Sequence, residues 1–162
     1  MSIVSIEKNV EDLSFVLVAQ FDAPIARVWE LWADPRKLER WWGPPGYPAT
    51  VVRHDLRPGG EVTFFMTGPD GETSRGWWRV TSVDPPRSLE FTDGFANEDG
   101  TPNSDLPTHA VQVRLSKQEV GTRMELRFVF ETREQMEQME DLGAFDGIPQ
   151  SVGQMDDVLA QT

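Results

Sequence analysis

Six segments in which apolar and polar residues alternate follow one another between residues 49 and 131, joined mostly by short turns. Successive side chains of a β-strand point to opposite faces, so alternation with period two indicates strands with one buried face. The turns at residues 57–60 and 68–72 are rich in glycine and proline, which favour tight reversals. Successive strands joined in this way predict a meandering antiparallel sheet, which limits the folds open to this chain.

The segments on either side of this run add one strand and several helices. Residues 12–21 alternate well enough to predict a strand, which makes about seven strands in all. Two short helices are predicted over residues 25–32 and 36–42, and residues 133–162 have a helical composition. The predicted class is therefore α+β, and the chain length suits one domain that spans residues 1–162.

The predicted sheet needs a cover for one of its faces. A twisted antiparallel sheet of about seven strands curls, which leaves a concave apolar surface. The C-terminal helix carries an apolar stripe that includes Ile148, Val152 and Met155, and we expect it to lie across this surface. A sheet wrapped around one helix closes imperfectly, so we expect a cavity between them. The alternative, in which the inward side chains fill that space completely, stays open.

The composition narrows the range of partners. Fifteen basic and 27 acidic residues give a formal net charge of −12, whereas nucleic acids and anionic membranes require a basic surface, so we expect neither as a partner. The chain has no cysteine and two histidines, so we expect no metal and no cofactor. We see no signal peptide and no run of the roughly 18–20 apolar residues that a membrane span needs, which predicts a cytoplasmic protein.

The stretch ERWWGPPGY, residues 39–47, places two large apolar side chains at a break in structure. Trp41 and Trp42 stand directly before glycines and prolines, which end a helix. We predict that these tryptophans lie at the mouth of the cavity and that one ring forms part of its wall. Simple core packing of both rings is the alternative, because tryptophans bury large areas wherever they occur.

The inward faces of the predicted strands and of the C-terminal segment supply many aromatic and aliphatic side chains. Mainly apolar walls with few polar groups are the general form of a small-molecule site. The predicted ligand-binding residues are Trp41, Trp42, Phe64, Met66, Trp78, Val80, Phe91, Phe95, His109, Val111, Val113, Met136, Val152 and Met155.

Two of the inward positions are polar and are the candidates for catalysis. His109 begins an otherwise apolar face, and Asp93 lies on the inward face of the preceding strand. Antiparallel neighbours could place the two side by side, as an acid–base couple inside an apolar cavity. The alternative places His109 at the solvated rim, because the long polar stretch of residues 96–107 precedes it. No phosphate loop, nucleophile motif or metal-ligand spacing accompanies either residue.

Three segments in this order resemble a known superfamily. They are FDAPIARVWELWADPRKLERWWGPPGY (residues 21–47), HDLRPGGEVTFFMTGPDG (residues 54–71) and RGWWRVTSVDPPRSLEFTDGF (residues 75–95). Together they are similar to the START-like, or birch-pollen-allergen-like, helix-grip superfamily (SRPBCC), and within it to the branch named after activators of the heat-shock-protein-90 ATPase, which is often joined with polyketide-cyclase-type proteins. The resemblance implies a curved antiparallel sheet that grips a long C-terminal helix, with a deep apolar cavity between them. It implies no shared set of catalytic residues.

These observations favour one function and leave two others open. The leading hypothesis is non-catalytic binding of a hydrophobic or aromatic small molecule between the sheet and the C-terminal helix. The first alternative is a cyclase, dehydratase or hydrolase that acts on a polyketide-like or aromatic substrate. The second is an interaction or regulatory module that works with a chaperone. We expect that partner least, because the last helix lacks the tryptophan-containing segment common in this branch. A homodimer also stays open.

Overall fold

The structure is a computed structural model that describes residues 2–161, with side chains from residue 3 onward. Its elements in chain order are β1 (Ser2–Asn9), β2 (Ser14–Phe21), α1 (Ile25–Ala33), α2 (Pro35–Leu38), β3 (Ala49–His54), β4 (Glu61–Thr67), β5 (Thr73–Asp84), β6 (Ser88–Ala96), β7 (His109–Lys117), β8 (Thr122–Val129), α3 (Arg133–Asp141), α4 (Ala144–Gly153) and α5 (Met155–Ala160).

The described strands form one antiparallel sheet in the order β1-β2-β8-β7-β6-β5-β4-β3. Strands β3 to β8 are neighbours in chain order, which confirms the predicted meander. Strand β2 pairs with β8 and so attaches the N-terminal hairpin to the far side of the meander. The predicted α+β class and helix-grip fold are confirmed, with eight strands where about seven were expected.

The strand that the sequence analysis did not predict is β1. It lies at the edge of the sheet and pairs with β2 along its length. Its apolar residues Val4 and Ile6 are exposed, so alternation along this strand does not follow a buried face and gives a weak signal. The chain reverses after β1 in a turn in which Asn9 Oδ1 accepts a hydrogen bond from the backbone N–H of Asp12 at 3.0 Å.

The two helices after β2 were predicted, although the second is shorter than expected. Helix α1 buries its apolar face, which includes Leu31 and Trp32. Helix α2 is capped by Asp34, whose side chain accepts from the backbone N–H of Arg36 at 2.9 Å. The helix ends at Leu38 rather than at residue 42, and turns carry the chain onward, because a glycine and two prolines follow the tryptophans.

The C-terminal helix of the grip is formed by α4 and α5. Gln154 alone separates them, and its backbone (φ −81°, ψ −12°) remains in the right-handed helical region, so the two form one nearly continuous helix. Phe145 of this helix stacks on Phe15 of β2 with ring centroids 4.6 Å apart, which shows that the helix covers the concave face. None of the helices within residues 2–161 combines the length and apolar character needed to cross a membrane.

Candidate functional site

A cavity of about 370 Å³ lies between one end of the sheet and α4. Strands β4 to β8 contribute its floor, and the end of α3 together with α4 forms the opposite wall. The tryptophan pair after α2 closes one side. Ser74, Leu142 and Gly143 line the cavity and are exposed, so they mark its mouth. The expected gap between sheet and helix is therefore present in the structure.

In the sheet, one glycine makes room for the cavity. Gly76 occupies an inward position between Phe64 of β4 and Phe95 of β6. A Cβ atom at position 76 would lie 2.6 Å from the Phe64 ring, far inside van der Waals contact. Glycine therefore lets the Phe64 ring lie across the strand, and the space that a larger side chain would fill remains part of the cavity.

On the helix side, small residues face the sheet. Ala144, Gly147 and Ser151 line the cavity at intervals of three to four residues, which places them on one face of α4. Outside its own helix backbone, a Cβ atom at position 147 would have no neighbour within 4 Å. Farther along the same helix, the buried positions carry the larger Met155 and Val158, and no gap forms there. The change in side-chain size along one helix therefore sets where the cavity lies.

The structure places half of the predicted ligand-binding residues on the cavity wall and half in the closed core. The cavity-lining members are Trp41, Trp42, Phe64, Met66, Phe95, His109 and Val152. The members that do not line the cavity, each at most 1% exposed, are Trp78, Val80, Phe91, Val111, Val113, Met136 and Met155. Alternation identifies the residues on the inward face of a strand, but it does not show which of them lie beside the cavity. The second group packs where the core is filled.

Other residues of the cavity wall were missed by the sequence analysis. Leu126 and Phe128 of β8 have the inward parity that alternation reveals, so that signal was present. Gly76 and Gly147 carry no hydrophobic signal at all, although they create the space. The one pattern that could have indicated them is the spacing of small residues along α4, opposite a glycine in a strand.

The tryptophan pair is both part of the core and part of the cavity wall. The indole Nε1–H of Trp41 donates to the carbonyl oxygen of Leu31 at 2.8 Å, and its ring meets that of Trp32 edge to face at 4.7 Å. The Trp42 ring makes a similar contact with Trp78 at 4.9 Å. The two predicted roles therefore coincide, because each ring packs on the core with one side and bounds the cavity with another.

The segment after the tryptophans is fixed to the C-terminal helix. The Gln154 side-chain amide donates to the carbonyl oxygen of Gly43 at 2.6 Å and to that of Trp41 at 3.3 Å. A Cβ atom at position 43 would lie 1.9 Å from the Tyr47 carbonyl oxygen, so only glycine allows this close turn. These contacts hold the aromatic wall at a set distance from α4.

Asp93 and His109 meet on the cavity floor. They are directly paired residues of β6 and β7, and His109 Nε2 lies 3.2 Å from Asp93 Oδ2. His109 is 5% exposed and lies beside the rings of Phe128 and Phe130, so the alternative that placed it at a solvated rim is wrong. Within residues 2–161, its Nδ1 is buried without a hydrogen-bond partner.

This pair gives the cavity its polar chemistry. The Asp93 side chain keeps 17% of its surface accessible and lines the cavity, so its carboxylate is available to a bound molecule. An imidazole beside a carboxylate can hold or transfer a proton, and the carboxylate can accept a hydrogen bond. Of the described residues that line the cavity, Asp93 is the one acid.

Arg75 also lines the cavity, but its guanidinium lies on the outer face of the sheet, and His54 does not line the cavity. The Arg75 guanidinium lies 4.8 Å from the centre of the Phe65 ring, and these two residues are cross-strand partners on the face of the sheet opposite Gly76. His54 Nε2 lies 3.1 Å from the Trp32 carbonyl oxygen, away from the cavity. Among residues 2–161, no group of three or more His, Cys, Asp or Glu side chains has the arrangement of a metal site.

Comparison with known proteins places the chain in a family. The sequence model of the family described as "Activator of Hsp90 ATPase homolog 1-like protein" matches residues 22–160. Comparison with curated proteins returned no match.

Solved structures resemble the chain over nearly all of its length. A protein from Arthrobacter aurescens is 46% identical, with a TM-score of 0.95 over 99% of this chain and 94% of that one. A protein from Mycobacterium smegmatis is 43% identical, with a TM-score of 0.91 over 99% of both chains. A protein from Staphylococcus epidermidis, 23% identical over 98% of this chain and 94% of its own, shares the fold with a TM-score of 0.84. The chain therefore belongs to the family of Activator of Hsp90 ATPase homolog 1-like proteins.

Proposed function

We propose that the protein binds a hydrophobic or aromatic small molecule in the cavity between the sheet and α4. The observation that supports this most strongly is the cavity itself, about 370 Å³ between the apolar face of the sheet and α4. Small-molecule sites fall in the range of about 300–1,000 Å³ and have mainly apolar walls with a few polar groups. The aromatic side chains on the wall and the single acid on the floor fit that description.

The affinity would come from burial of apolar surface, which contributes about 25 cal/mol for each Å² removed from water. The wall is already in place, because Trp41 is fixed by its hydrogen bond to Leu31 and the following segment by Gln154. A binding site that needs no rearrangement loses little entropy when its ligand enters. Proteins with the START-like fold commonly bind hydrophobic ligands, which supports the same reading.

The test is to fill the cavity without disturbing the rest of the protein. Gly147→Leu places an isobutyl group where a side chain would have no neighbours, whereas Gly153→Leu places the same group on the exposed side of the same helix. Both variants gain about the same helix propensity, so they differ mainly in the direction of the new side chain. Binding is measured by titration with an environment-sensitive apolar dye and by native mass spectrometry of the purified protein.

We expect the unmodified protein and Gly153→Leu to bind the dye with similar affinity, and Gly147→Leu to bind it at least about tenfold more weakly. Equal affinity in all three proteins would mean that the dye binds elsewhere and would contradict the proposal. Failure of the unmodified protein to bind the dye, or naphthalene in a direct titration, would also contradict it.

The contact between His109 and Asp93 favours a second candidate function. An acid–base pair in an apolar cavity suits proton transfer in a cyclase, dehydratase or hydrolase. A naphthyl ester is a direct probe of hydrolysis, in which water adds to the ester carbonyl and naphthol leaves. If this function operates, His109→Ala abolishes release of naphthol while a Glu90→Gln variant, altered outside the cavity, retains it. Equal rates in both variants would exclude this mechanism.

A further inference from the structure

We infer that the preferred ligand is an uncharged molecule of two or three rings that carries a hydroxyl group, and that this hydroxyl donates a hydrogen bond to Asp93. The inference rests on the proposed binding function and specifies the ligand class of that site. It assigns Asp93 as the group that selects the ligand, with His109 as the residue that positions it.

Asp93 has unmet hydrogen-bonding capacity. A carboxylate has two oxygens that accept hydrogen bonds and no donor of its own. Among the described residues, the side chain that contacts the Asp93 carboxylate is His109, whose Nε2 lies 3.2 Å from Oδ2. A carboxylate surrounded by apolar side chains is costly unless donors surround it. A ligand hydroxyl that enters the cavity would supply the missing donor to Oδ1.

The surroundings of His109 fix the position of the Asp93 carboxylate. His109 is buried between the rings of Phe128 and Phe130, with centroid separations of 5.7 and 5.3 Å. Its imidazole therefore has little freedom, and its contact with Oδ2 holds the Asp93 carboxylate in one orientation. The accessible part of the Asp93 side chain is left facing the cavity. A fixed acceptor on an apolar floor selects ligands by the position of their donor group.

The charges around the cavity also limit the ligand. Asp93 is the one acid among the described lining residues. Arg75 lines the cavity as well, but its guanidinium lies against Phe65 on the other face of the sheet. The whole chain has a formal net charge of −12. A ligand carboxylate would therefore meet a like charge at the floor, while the Arg75 guanidinium lies on the far side of the sheet. This arrangement selects against fatty and aromatic acids and in favour of neutral alcohols and phenols.

The volume of the cavity limits the size of the ligand. An apolar cavity of about 150 Å³ is sufficient to hold benzene. The present cavity, about 370 Å³, is about two and a half times as large. It therefore has room for two fused aromatic rings, or three at close packing, and not for a long branched chain held in full.

The experiment compares three probes that share one ring system. Naphthalene, 2-naphthol and 2-naphthoate are titrated into the protein at pH 7, with binding followed by calorimetry. A hydrogen bond to a charged group contributes about 1.5–3 kcal/mol, so 2-naphthol is expected to bind at least about tenfold more tightly than naphthalene. 2-Naphthoate is expected to bind more weakly than naphthalene.

A pair of matched variants assigns the preference to Asp93. Asp93→Asn removes the charge on the cavity floor, and Glu90→Gln makes the same change on the same strand at a position that does not line the cavity. In Asp93→Asn, the preference for 2-naphthol over naphthalene is expected to fall at least about threefold, because neutral hydrogen bonds are about half as strong. The penalty on 2-naphthoate is expected to disappear. Glu90→Gln is expected to retain both.

The outcomes separate this inference from the proposed function. If naphthalene binds as tightly as 2-naphthol, or 2-naphthoate binds most tightly, the inferred ligand class is wrong while the cavity remains a binding site. If none of the three probes binds, the proposed function itself fails. If Glu90→Gln alters the preference as much as Asp93→Asn, Asp93 is not the selecting group.

Discussion

The interface between the sheet and the C-terminal helix has two ends that are built from the same elements and packed differently. At the closed end, Trp78 stacks on Phe91 with centroids 4.0 Å apart, and Met155 of α5 is fully buried. At the open end, along α4, Gly76 and Gly147 both line the cavity. The sheet and helix continue from one end to the other, so side-chain size rather than topology decides where space remains.

This difference suggests that one end of the core stabilises the fold and the other end binds a ligand. A protein interior is close-packed, and each absent methylene group lowers stability. The closed end and the apolar face of α1 contribute many fully buried side chains to the core. That packing permits an unfilled volume at the open end without loss of the fold. The predictions below test whether stability depends on the closed end and binding on the open one, in order of expected effect.

The largest difference is expected between two phenylalanines of the same strand. Phe91 and Phe95 lie on the same face of β6, four residues apart, but Phe91 is buried at the closed end and Phe95 is partly exposed at the cavity. Phe91→Ala is expected to lower the free energy of unfolding by about 3–5 kcal/mol, because it opens a new void in filled core. Phe95→Ala is expected to cost about 1–2 kcal/mol. Urea denaturation of both variants measures the difference, and equal losses would remove the distinction between the two ends.

Enlarging a side chain should also affect the stability of the two ends differently. It should destabilise the closed end, which is full, and leave the open end unaffected or more stable. Ala19 is an inward and fully buried residue of β2 at the closed end. Ala19→Leu is expected to destabilise the protein by about 1–3 kcal/mol through overpacking. Gly147→Leu is expected to leave stability unchanged or to raise it by up to about 1 kcal/mol, because the cavity has room and glycine is a poor helix former.

Thermal or chemical unfolding of Ala19→Leu and Gly147→Leu measures the change in stability of each variant. A loss of stability in Gly147→Leu as great as that in Ala19→Leu would show that the open end is filled in solution.

A smaller effect is expected where the two ends meet. Gln154 lies between α4 and α5 and donates to the carbonyl oxygens of Gly43 and Trp41. Gln154→Ala is expected to lower the free energy of unfolding by about 1 kcal/mol and to weaken binding of apolar probes, since the aromatic wall loses its tie to the helix. Gln150→Ala, an exposed change on α4, is the control. If Gln154→Ala binds the dye with unchanged affinity, the hydrogen bonds of Gln154 do not determine the shape of the cavity.

The smallest effect concerns the loop that precedes His109 on the open side. The pKa of Asp99 is held below its usual range, first by the hydrogen bond from the Thr101 hydroxyl and then by that from the Thr101 backbone N–H. A lowered pKa in the folded state adds stability above the unfolded value, near pH 4, which is lost as the pH falls through the folded pKa. Thr101→Val is expected to raise the pKa of Asp99, as an NMR titration would show. An unchanged pKa would contradict this account of the loop.

The sequence predicted the layers of this fold well because alternation reports burial. The inward parity of Phe64, Phe95 and Val113 was visible in the sequence and is seen in the structure. Strand β1 was not predicted, because its edge position leaves Val4 and Ile6 exposed.

The candidate site was predicted less completely, for a physical reason. Alternation shows which face of a strand is inward but not where along it the core stops being filled. Trp78 and Phe91 were therefore placed in the site although they belong to the closed end. The residues that create the gap, Gly76 and Gly147, act by lacking a side chain, which gives no hydrophobic signal. Strand parity predicted the contact of His109 with Asp93, and the contact is present. The burial of His109 could not be predicted in the same way, because it depends on the path of the preceding loop.

The most direct test of the central claim is a methyl NMR titration of the protein with 2-naphthol. If the guest enters the open end, chemical shifts change at Leu126, Ile148 and Val152, which line the cavity, while Leu17, Met124 and Val158 in the filled core stay nearly constant. Shifts spread evenly over both groups, or confined to exposed methyl groups such as those of Val4 and Ile6, would contradict the claim that one end of this core is built to receive a ligand.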